Sequence, residues 1–151
     1  MRQTPLFDEH RALGGKIVDF TGWALPVQFA GILNEHEHTR AKASLFDCSH
    51  MGEFCIKGER GIQAYDALVT MNAAGLAVGR ARYGFLLTEG GGIIGDLIAM
   101  RVAEDELFVV TNAGPLERVA TLFAGRVPGL RDVSDETAKI DIQGPLSREI
   151  L

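Results

Sequence analysis

Cysteine is scarce in this 151-residue chain, which contains only Cys48 and Cys55. The two do not form a CxxC pair and do not indicate a disulfide framework, so a reducing compartment is the default. The sequence also lacks an apolar run long enough to cross a bilayer, and residues 1–5 lack the apolar core of a signal peptide. We therefore expect a cytoplasmic protein that does not enter a membrane.

Basic residues are outnumbered, with 15 Lys and Arg against 20 Asp and Glu, and the formal net charge is -5. A broad nucleic-acid surface needs clustered Lys and Arg, so we expect no nucleic-acid partner. His36 and His38 lie two residues apart in a predicted helix, where their side chains face away from each other. A zinc pair would need i, i+4 spacing, so we predict two solvated histidines and no metal site.

The periodicity of the apolar residues predicts an α+β fold. Apolar residues make up 46% of the chain, and the length suits one domain with a sizeable core. From Gly52 the pattern predicts strand, helix, three strands, helix and a last strand over residues 136–143. This order contains the split βαβ arrangement of ferredoxin-like folds, with helices on one face of a mainly antiparallel sheet.

The two ends of the chain carry helix signals. Thr4 is predicted to be the N-cap of a first helix with Pro5 at its first position, and a second helix is predicted over residues 31–44. Pro145 begins a short helical pattern that stops with no terminator, and such a helix is marginal alone. We therefore expect residues 1–151 to be a fragment of a longer chain.

The most unusual stretch is residues 90–100, where three consecutive glycines precede an apolar run that contains one acid, Asp96. Two β-type runs around a Gly-rich gap predict a hairpin. On its strand Asp96 shares a face with Ile98 and Met100. Because Asp is seldom buried without a partner, we consider two interpretations: Asp96 accepts hydrogen bonds from the Gly-rich turn, or it marks a functional site.

A second polar cluster, formed by Asp47, Ser49 and His50, suggests a catalytic triad. A triad usually gathers residues from separated positions, and three residues this close on an extended backbone do not converge easily. Asp and Ser side chains commonly bond to nearby backbone. The sequence therefore favours hydrogen-bonded turn residues at this position.

Several segments taken together resemble one family, the glycine-cleavage T-protein (aminomethyltransferase) and its folate-dependent relatives. Each motif is weak alone, but their order and spacing over essentially the whole chain resemble the N-terminal portion of that family. The segments are Thr4-Pro5-Leu6; Val18-Asp19-Phe20-Thr21-Gly22-Trp23 with Pro26-Val27-Gln28-Phe29; Leu45-Phe46-Asp47-Cys48-Ser49-His50-Met51-Gly52; Gly91-Gly92-Ile93-Ile94-Gly95-Asp96; Asn112-Ala113; and Gln143-Gly144-Pro145.

The resemblance implies an enzyme in which tetrahydrofolate accepts a one-carbon unit from an aminomethyl group on the lipoyl arm of H-protein, with release of ammonia. It implies that Asp96 is the catalytic carboxylate and also part of the folate pocket. It further implies that Tyr83 lies beside the folate, that Asn112 hydrogen-bonds it, and that Met51 and Ile98 supply apolar walls. A carboxylate in a mostly apolar pocket can move protons and stabilise developing positive charge, as this reaction requires.

Relatives of the family leave two alternatives open. One is a folate-dependent demethylase, or the folate module of a sarcosine- or dimethylglycine-oxidising enzyme. The other is a non-catalytic folate-binding protein that assists iron–sulfur or tRNA maturation, against which the retention of Asp96 argues. The family often carries two adjacent acids where this chain has Gly95-Asp96, and we align Asp96 with the second, catalytic acid.

Overall fold

The computed structural model describes every residue from Met1 to Leu151. The helices, in chain order, are α1 (Phe7–Ala12), α2 (Ile32–Ala41), α3 (Glu59–Asp66), α4 (Leu116–Ala124) and α5 (Ser147–Ile150). The strands are β1 (Ile17–Phe20), β2 (Trp23–Pro26), β3 (Ser44–Asp47), β4 (Gly52–Lys57), β5 (Ala81–Leu87), β6 (Ile93–Ala103), β7 (Glu106–Thr111), β8 (Leu130–Asp132) and β9 (Ile140–Gln143). None of the helices is both long and apolar enough to span a membrane.

Contacts divide the chain into two compact units. The first comprises Met1–His50 together with Ala138–Leu151, and the second comprises Met51–Thr137. The first unit contains two small antiparallel sheets, in which β1 pairs with β2 and β3 pairs with β9. Helix α2 of this unit has no buried residue.

The second unit is built on a five-stranded sheet with the order β5-β6-β7-β4-β8, in which every neighbouring pair is antiparallel. Strands β7 and β8 both run antiparallel to β4, which lies between them, so they are parallel to each other. Helix α4 connects them, and the three elements form a split βαβ unit. The predicted α+β class and its ferredoxin-like arrangement are confirmed.

The core of the second unit lies between its helices and one face of its sheet. On this face, Phe54 of β4 packs edge-on against Phe123 of α4 with ring centroids 5.7 Å apart, and Tyr65 of α3 packs edge-on against Phe123 at 5.5 Å. Both helices therefore cover the same face, as predicted. The side chains that alternate with the core residues along β5 and β6, including Tyr83 and Asp96, lie on the other face.

The last strand of this sheet differs from the predicted one. We expected residues 136–143 to complete the sheet, but the strand beside β4 is β8 (Leu130–Asp132), and Ile140–Gln143 pairs with β3 in a separate sheet. A three-residue strand is too short to show an alternating pattern. The predicted last strand thus belongs to a second sheet, because strand pairing depends on contacts between distant segments.

The first helix also begins later than predicted. Leu6, not Thr4, occupies the N-cap position of α1, and no side chain caps the helix. The Thr4 hydroxyl instead donates a hydrogen bond to Oδ2 of Asp47 at 2.6 Å. The Thr4 hydroxyl therefore binds the buried carboxylate of Asp47, which is distant in the sequence, and does not cap the helix.

Candidate functional site

Asp96 lies on β6, the second strand of the five-stranded sheet, where its Cα is paired with that of Phe85 on β5. Leu97 and Ala99, the alternate residues of the strand, are buried in the core. Asp96 therefore faces away from the helices, together with Ile98, as the alternation predicts. The Gly-rich turn is closed by Thr88, which accepts hydrogen bonds from Gly91 and Gly92. The interpretation in which this turn holds Asp96 is wrong.

Two side chains hold the Asp96 carboxylate. The Tyr83 phenol donates to Oδ2 over 3.1 Å, and the Asn112 amide donates to Oδ1. These donors come from the two strands that flank β6, since Tyr83 lies on β5 and Asn112 directly follows β7. Each oxygen receives one hydrogen bond and keeps the capacity to accept another, so the carboxylate is oriented and still able to bind a ligand.

The remaining predicted site residues lie on the same part of the sheet. Ile98 is paired with Tyr83 on one side and with Val110 on the other, and its side chain is 39% exposed. Met51 directly precedes β4, whose first residue Gly52 is paired with Thr111. Met51 and Asn112 are thus the next residues beyond that pair, at one end of two neighbouring strands. The fold brings all five predicted residues to one region of the second unit.

Two further residues lie on this face that the sequence analysis did not single out. Phe85 packs edge-on against Tyr83 with ring centroids 5.3 Å apart. Val110 is paired with Ile98 and is 2% exposed. Phe85 stands two positions from Tyr83 on β5, and Val110 of β7 stands two positions before Asn112, so period-two alternation around Tyr83 and Asn112 is the signal that would have found them.

Electrostatics at the site centre on the carboxylate. The pKa of Tyr83 is raised by desolvation, by its hydrogen bond to Asp96 and by the negative charge of that group. The phenol therefore stays protonated and remains a donor at neutral pH. Around these polar groups lie the exposed faces of Tyr83 and Ile98. A flat ring that carries N–H donors matches such a surface, because the ring contacts the apolar side chains and the carboxylate accepts from its edge.

The polar cluster at residues 47–50 is not a triad. Asp47 accepts a hydrogen bond from the backbone N–H of Ser49 at 3.0 Å, which is the predicted turn arrangement. Its imidazole partner is His10, whose Nε2 lies 2.8 Å from Oδ2, and not the neighbouring His50. Nδ1 of His50 is buried and has no hydrogen-bond partner. This cluster therefore ties the segment containing Thr4 and His10 to β3.

Sequence comparison shows what the chain is similar to. It is 40% identical over 154 residues to the aminomethyltransferase of Halalkalibacterium halodurans, and the match covers 100% of this chain and 42% of that protein. It is 43% identical over 155 residues to the aminomethyltransferase of Rubrobacter xylanophilus, covering 100% of this chain and 41% of the relative. The chain thus spans about two fifths of the length of these curated relatives.

A solved structure and a family model agree with these relatives. The crystal structure of glycine cleavage system aminomethyltransferase T from Bartonella henselae matches with a TM-score of 0.88 and 34% identity, covering 99% of this chain and 42% of that one. The sequence model of the GCVT N-terminal domain matches residues 6–151. The chain therefore belongs to the GCVT N-terminal domain family.

Proposed function

We propose that this chain is the N-terminal part of a tetrahydrofolate-dependent aminomethyltransferase of the glycine cleavage system. The observation that carries the proposal is the Asp96 carboxylate, held by Tyr83 and Asn112 on the sheet face opposite the helices. Both carboxylate oxygens keep the capacity to accept a further hydrogen bond, and they lie beside the exposed side chains of Tyr83 and Ile98, as a binding site requires.

The residues present fit a folate. Tetrahydrofolate carries a flat pterin with N–H groups on its edge, and these suit a carboxylate with unused lone pairs. Ile98 and Tyr83 offer an apolar surface beside that carboxylate, and Met51 directly precedes β4, which is separated from β6 by β7. We propose that Met51, Tyr83, Asp96, Ile98 and Asn112 contribute to the folate site, and that residues outside this chain complete it.

The folate, when bound, supplies the nitrogen atoms that receive the one-carbon unit. We assign the catalytic role in this chain to Asp96. Its carboxylate accepts a proton from the reacting nitrogen and, while ionised, stabilises the positive charge that develops as ammonia leaves. The rigid sheet keeps the carboxylate in place, since β6 is hydrogen-bonded to strands on both sides.

Tyr83 and Asn112 act on the geometry of Asp96. Each donates to a different oxygen, so rotation of the carboxylate breaks at least one of the two bonds. This fixes the direction of the free lone pairs toward the ligand. Such pre-orientation reduces the reorganisation needed during the reaction, which is how placed polar groups contribute to catalysis.

The proposed reaction needs a carrier for the aminomethyl group. We propose a lipoylated carrier protein, the H-protein of the glycine cleavage system, as the macromolecular partner. The methylene carbon passes to the folate, ammonia leaves, and the lipoyl thiol is released. We propose the cytoplasm as the location, supported by the two cysteines, both of which are free.

Calorimetry tests this function. The full-length protein should bind tetrahydrofolate, and Asp96→Ala should weaken that binding, while Asp8→Ala, at an exposed position in the other unit, should leave it unchanged. Failure of the wild type to bind would overturn the proposal. Release of ammonia should require the aminomethyl-loaded lipoyl carrier. Turnover with N-methylated amino acids instead of that carrier would assign the demethylase function.

A further inference from the structure

The segment that carries Asn112 packs closely on two glycines. Strand β7 lies between β4 and β6, and after Thr111 the chain turns through Asn112 into α4. On the helix-covered face, Leu116 lies against Gly52 of β4 and Pro115 lies against Gly95 of β6. We call Gly52 and Gly95 the glycine pair. It lies directly beneath the turn that presents Asn112 to Asp96.

Distances show how closely the side chains of the turn approach the glycine pair. A Cβ atom added at Gly52 would lie 2.2 Å from Cδ1 of Leu116 and 2.9 Å from Cγ2 of Thr111. A Cβ atom added at Gly95 would lie 3.0 Å from Cγ of Pro115. Neither glycine has a positive φ, so backbone conformation does not require glycine at either position. What requires glycine there is the space that the turn occupies.

The turn is closed by a backbone hydrogen bond from Leu116 N–H to Ala113 C=O at 3.2 Å. Leu116 also packs against the hydrophobic core. Thr111 is fully buried, and its hydroxyl lies 3.5 Å from the backbone carbonyl of Asp96. A movement of Leu116 or Thr111 is therefore transmitted to both partners of the Asn112–Asp96 hydrogen bond.

We propose that Gly52 and Gly95 are positioning residues for the folate site, because they allow the turn to come close enough for Asn112 to orient the Asp96 carboxylate. The consequence for ligand binding rests on the proposed function. The geometric part concerns only the Asn112–Asp96 hydrogen bond and does not depend on the proposed function. The two substitutions differ in what must move: Gly52→Ala displaces the Leu116 and Thr111 methyl groups that border the turn, whereas Gly95→Ala requires Pro115 to shift by only a few tenths of an ångström.

Gly61 provides the matched control. It lies in α3 of the same unit, has no positive φ, and a Cβ added there would meet Pro128 O at 2.2 Å. Gly61→Ala therefore introduces a contact at least as severe, because it meets a backbone oxygen and not a side-chain methyl, far along the chain from Asn112. A purely structural role for Gly52 would make the two alanine variants behave alike. A positioning role makes only Gly52→Ala disturb the Asn112 amide.

The experiment follows the side-chain amide of Asn112 by ¹⁵N NMR in the whole protein, with the signal assigned by its loss in Asn112→Ser. In Gly52→Ala the amide protons should move to the shift of a solvated amide, and in Gly61→Ala they should not. Removing the obstructing side chain in Gly52→Ala/Leu116→Ala should restore the original signal. Tetrahydrofolate Kd should rise about ten-fold in Gly52→Ala, the factor expected when the carboxylate, no longer oriented by Asn112, loses one hydrogen bond to the ligand.

Each result decides the matter. An unchanged Asn112 signal in folded Gly52→Ala, or equal perturbation by Gly61→Ala, would overturn the positioning role. If Gly52→Ala does not fold, the milder Gly95→Ala supplies the same comparison, and an unchanged amide there would overturn the role. If the Asn112 amide signal moves in Gly52→Ala but the wild type does not bind tetrahydrofolate, the geometric part of the proposal is supported and the proposed function is rejected.

Discussion

The phenol oxygen of Tyr83 lies 3.1 Å from Oδ2 of Asp96, although 13 residues separate the two in the sequence. The hairpin of β5 and β6 brings them together, because its register places Tyr83 opposite Ile98, two residues beyond Asp96. The contact is therefore a diagonal pair on adjacent strands, within reach of a tyrosine side chain. It links the stability of the hairpin to the orientation of the proposed catalytic carboxylate.

Asp96→Asn should separate catalysis from binding. Asparagine keeps the shape of the side chain and can still accept hydrogen bonds, but it neither takes up a proton nor carries a negative charge. Loss of a general base typically costs about 10²- to 10⁴-fold in rate. We expect kcat of the full-length enzyme to fall by about that factor while tetrahydrofolate Kd changes much less. Steady-state kinetics and calorimetry measure the two, and an unchanged kcat would remove Asp96 from the chemical step.

The Tyr83 phenol should titrate above the usual value for tyrosine. Its pKa is raised by desolvation and by the hydrogen bond and charge of Asp96. Asp96→Asn removes the negative charge, so the pKa of the phenol should fall toward about 10. Ultraviolet titration, taken as the difference between each protein and its Tyr83→Phe counterpart, isolates this group. A phenol that titrates identically with and without the Asp96 charge would contradict the observed contact.

Asp47 should contribute strongly to the stability of the first unit. Its side chain is 4% exposed and accepts hydrogen bonds from Thr4 and His10. Asp47→Ala leaves both partners buried and unpaired, which should lower the free energy of unfolding by about 3 kcal/mol. Asp19→Ala is the control, because Asp19 is exposed and accepts a single bond from Gly22 N–H. Chemical denaturation measures both, and equal losses would refute the role of Asp47.

The Asp47 carboxylate should also make the stability of the protein sensitive to acid. Burial raises the pKa of Asp47, but the hydrogen bonds from Thr4, His10 and Ser49 outweigh this and lower the pKa. Its stabilisation is therefore fully present above about pH 4, where the unfolded carboxyl is ionised, and is lost as the pH falls through the lower folded pKa. Asp47→Asn should show a weaker loss of stability below pH 4 than the wild type in acid denaturation.

Tyr65→Phe should leave the protein as stable as the wild type or more so. Tyr65 is fully buried, and its hydroxyl has no hydrogen-bond partner. Removing an unsatisfied buried hydroxyl while keeping the ring should gain up to about 1 kcal/mol. Phe123→Ala, which empties the centre of the same aromatic cluster, should instead cost about 3–5 kcal/mol. Thermal unfolding compares the two, and a large loss in Tyr65→Phe would show that the hydroxyl is bonded.

Local patterns were sufficient for most elements of the second unit. The strand over Glu106–Thr111 and the hairpin around the glycines were predicted from alternation and turn residues, and both are present. Strand β8 was missed because three residues carry no measurable period. The first helix was placed too early because Thr4, a good N-cap in isolation, donates its hydroxyl to Asp47.

The sequence by itself determined the α+β class, the residues that share a face with Asp96 and, through its motifs, the family. These depend on short-range periodicity and on residue types at fixed spacing, which a single chain displays directly. Only the tertiary structure decided which groups hold Asp96, because Tyr83 and Asn112 reach it across strand pairs whose register is set by the whole sheet. For the same reason it alone showed that Gly52 and Gly95 lie beneath the Asn112 turn, since side-chain volume matters only where distant segments meet.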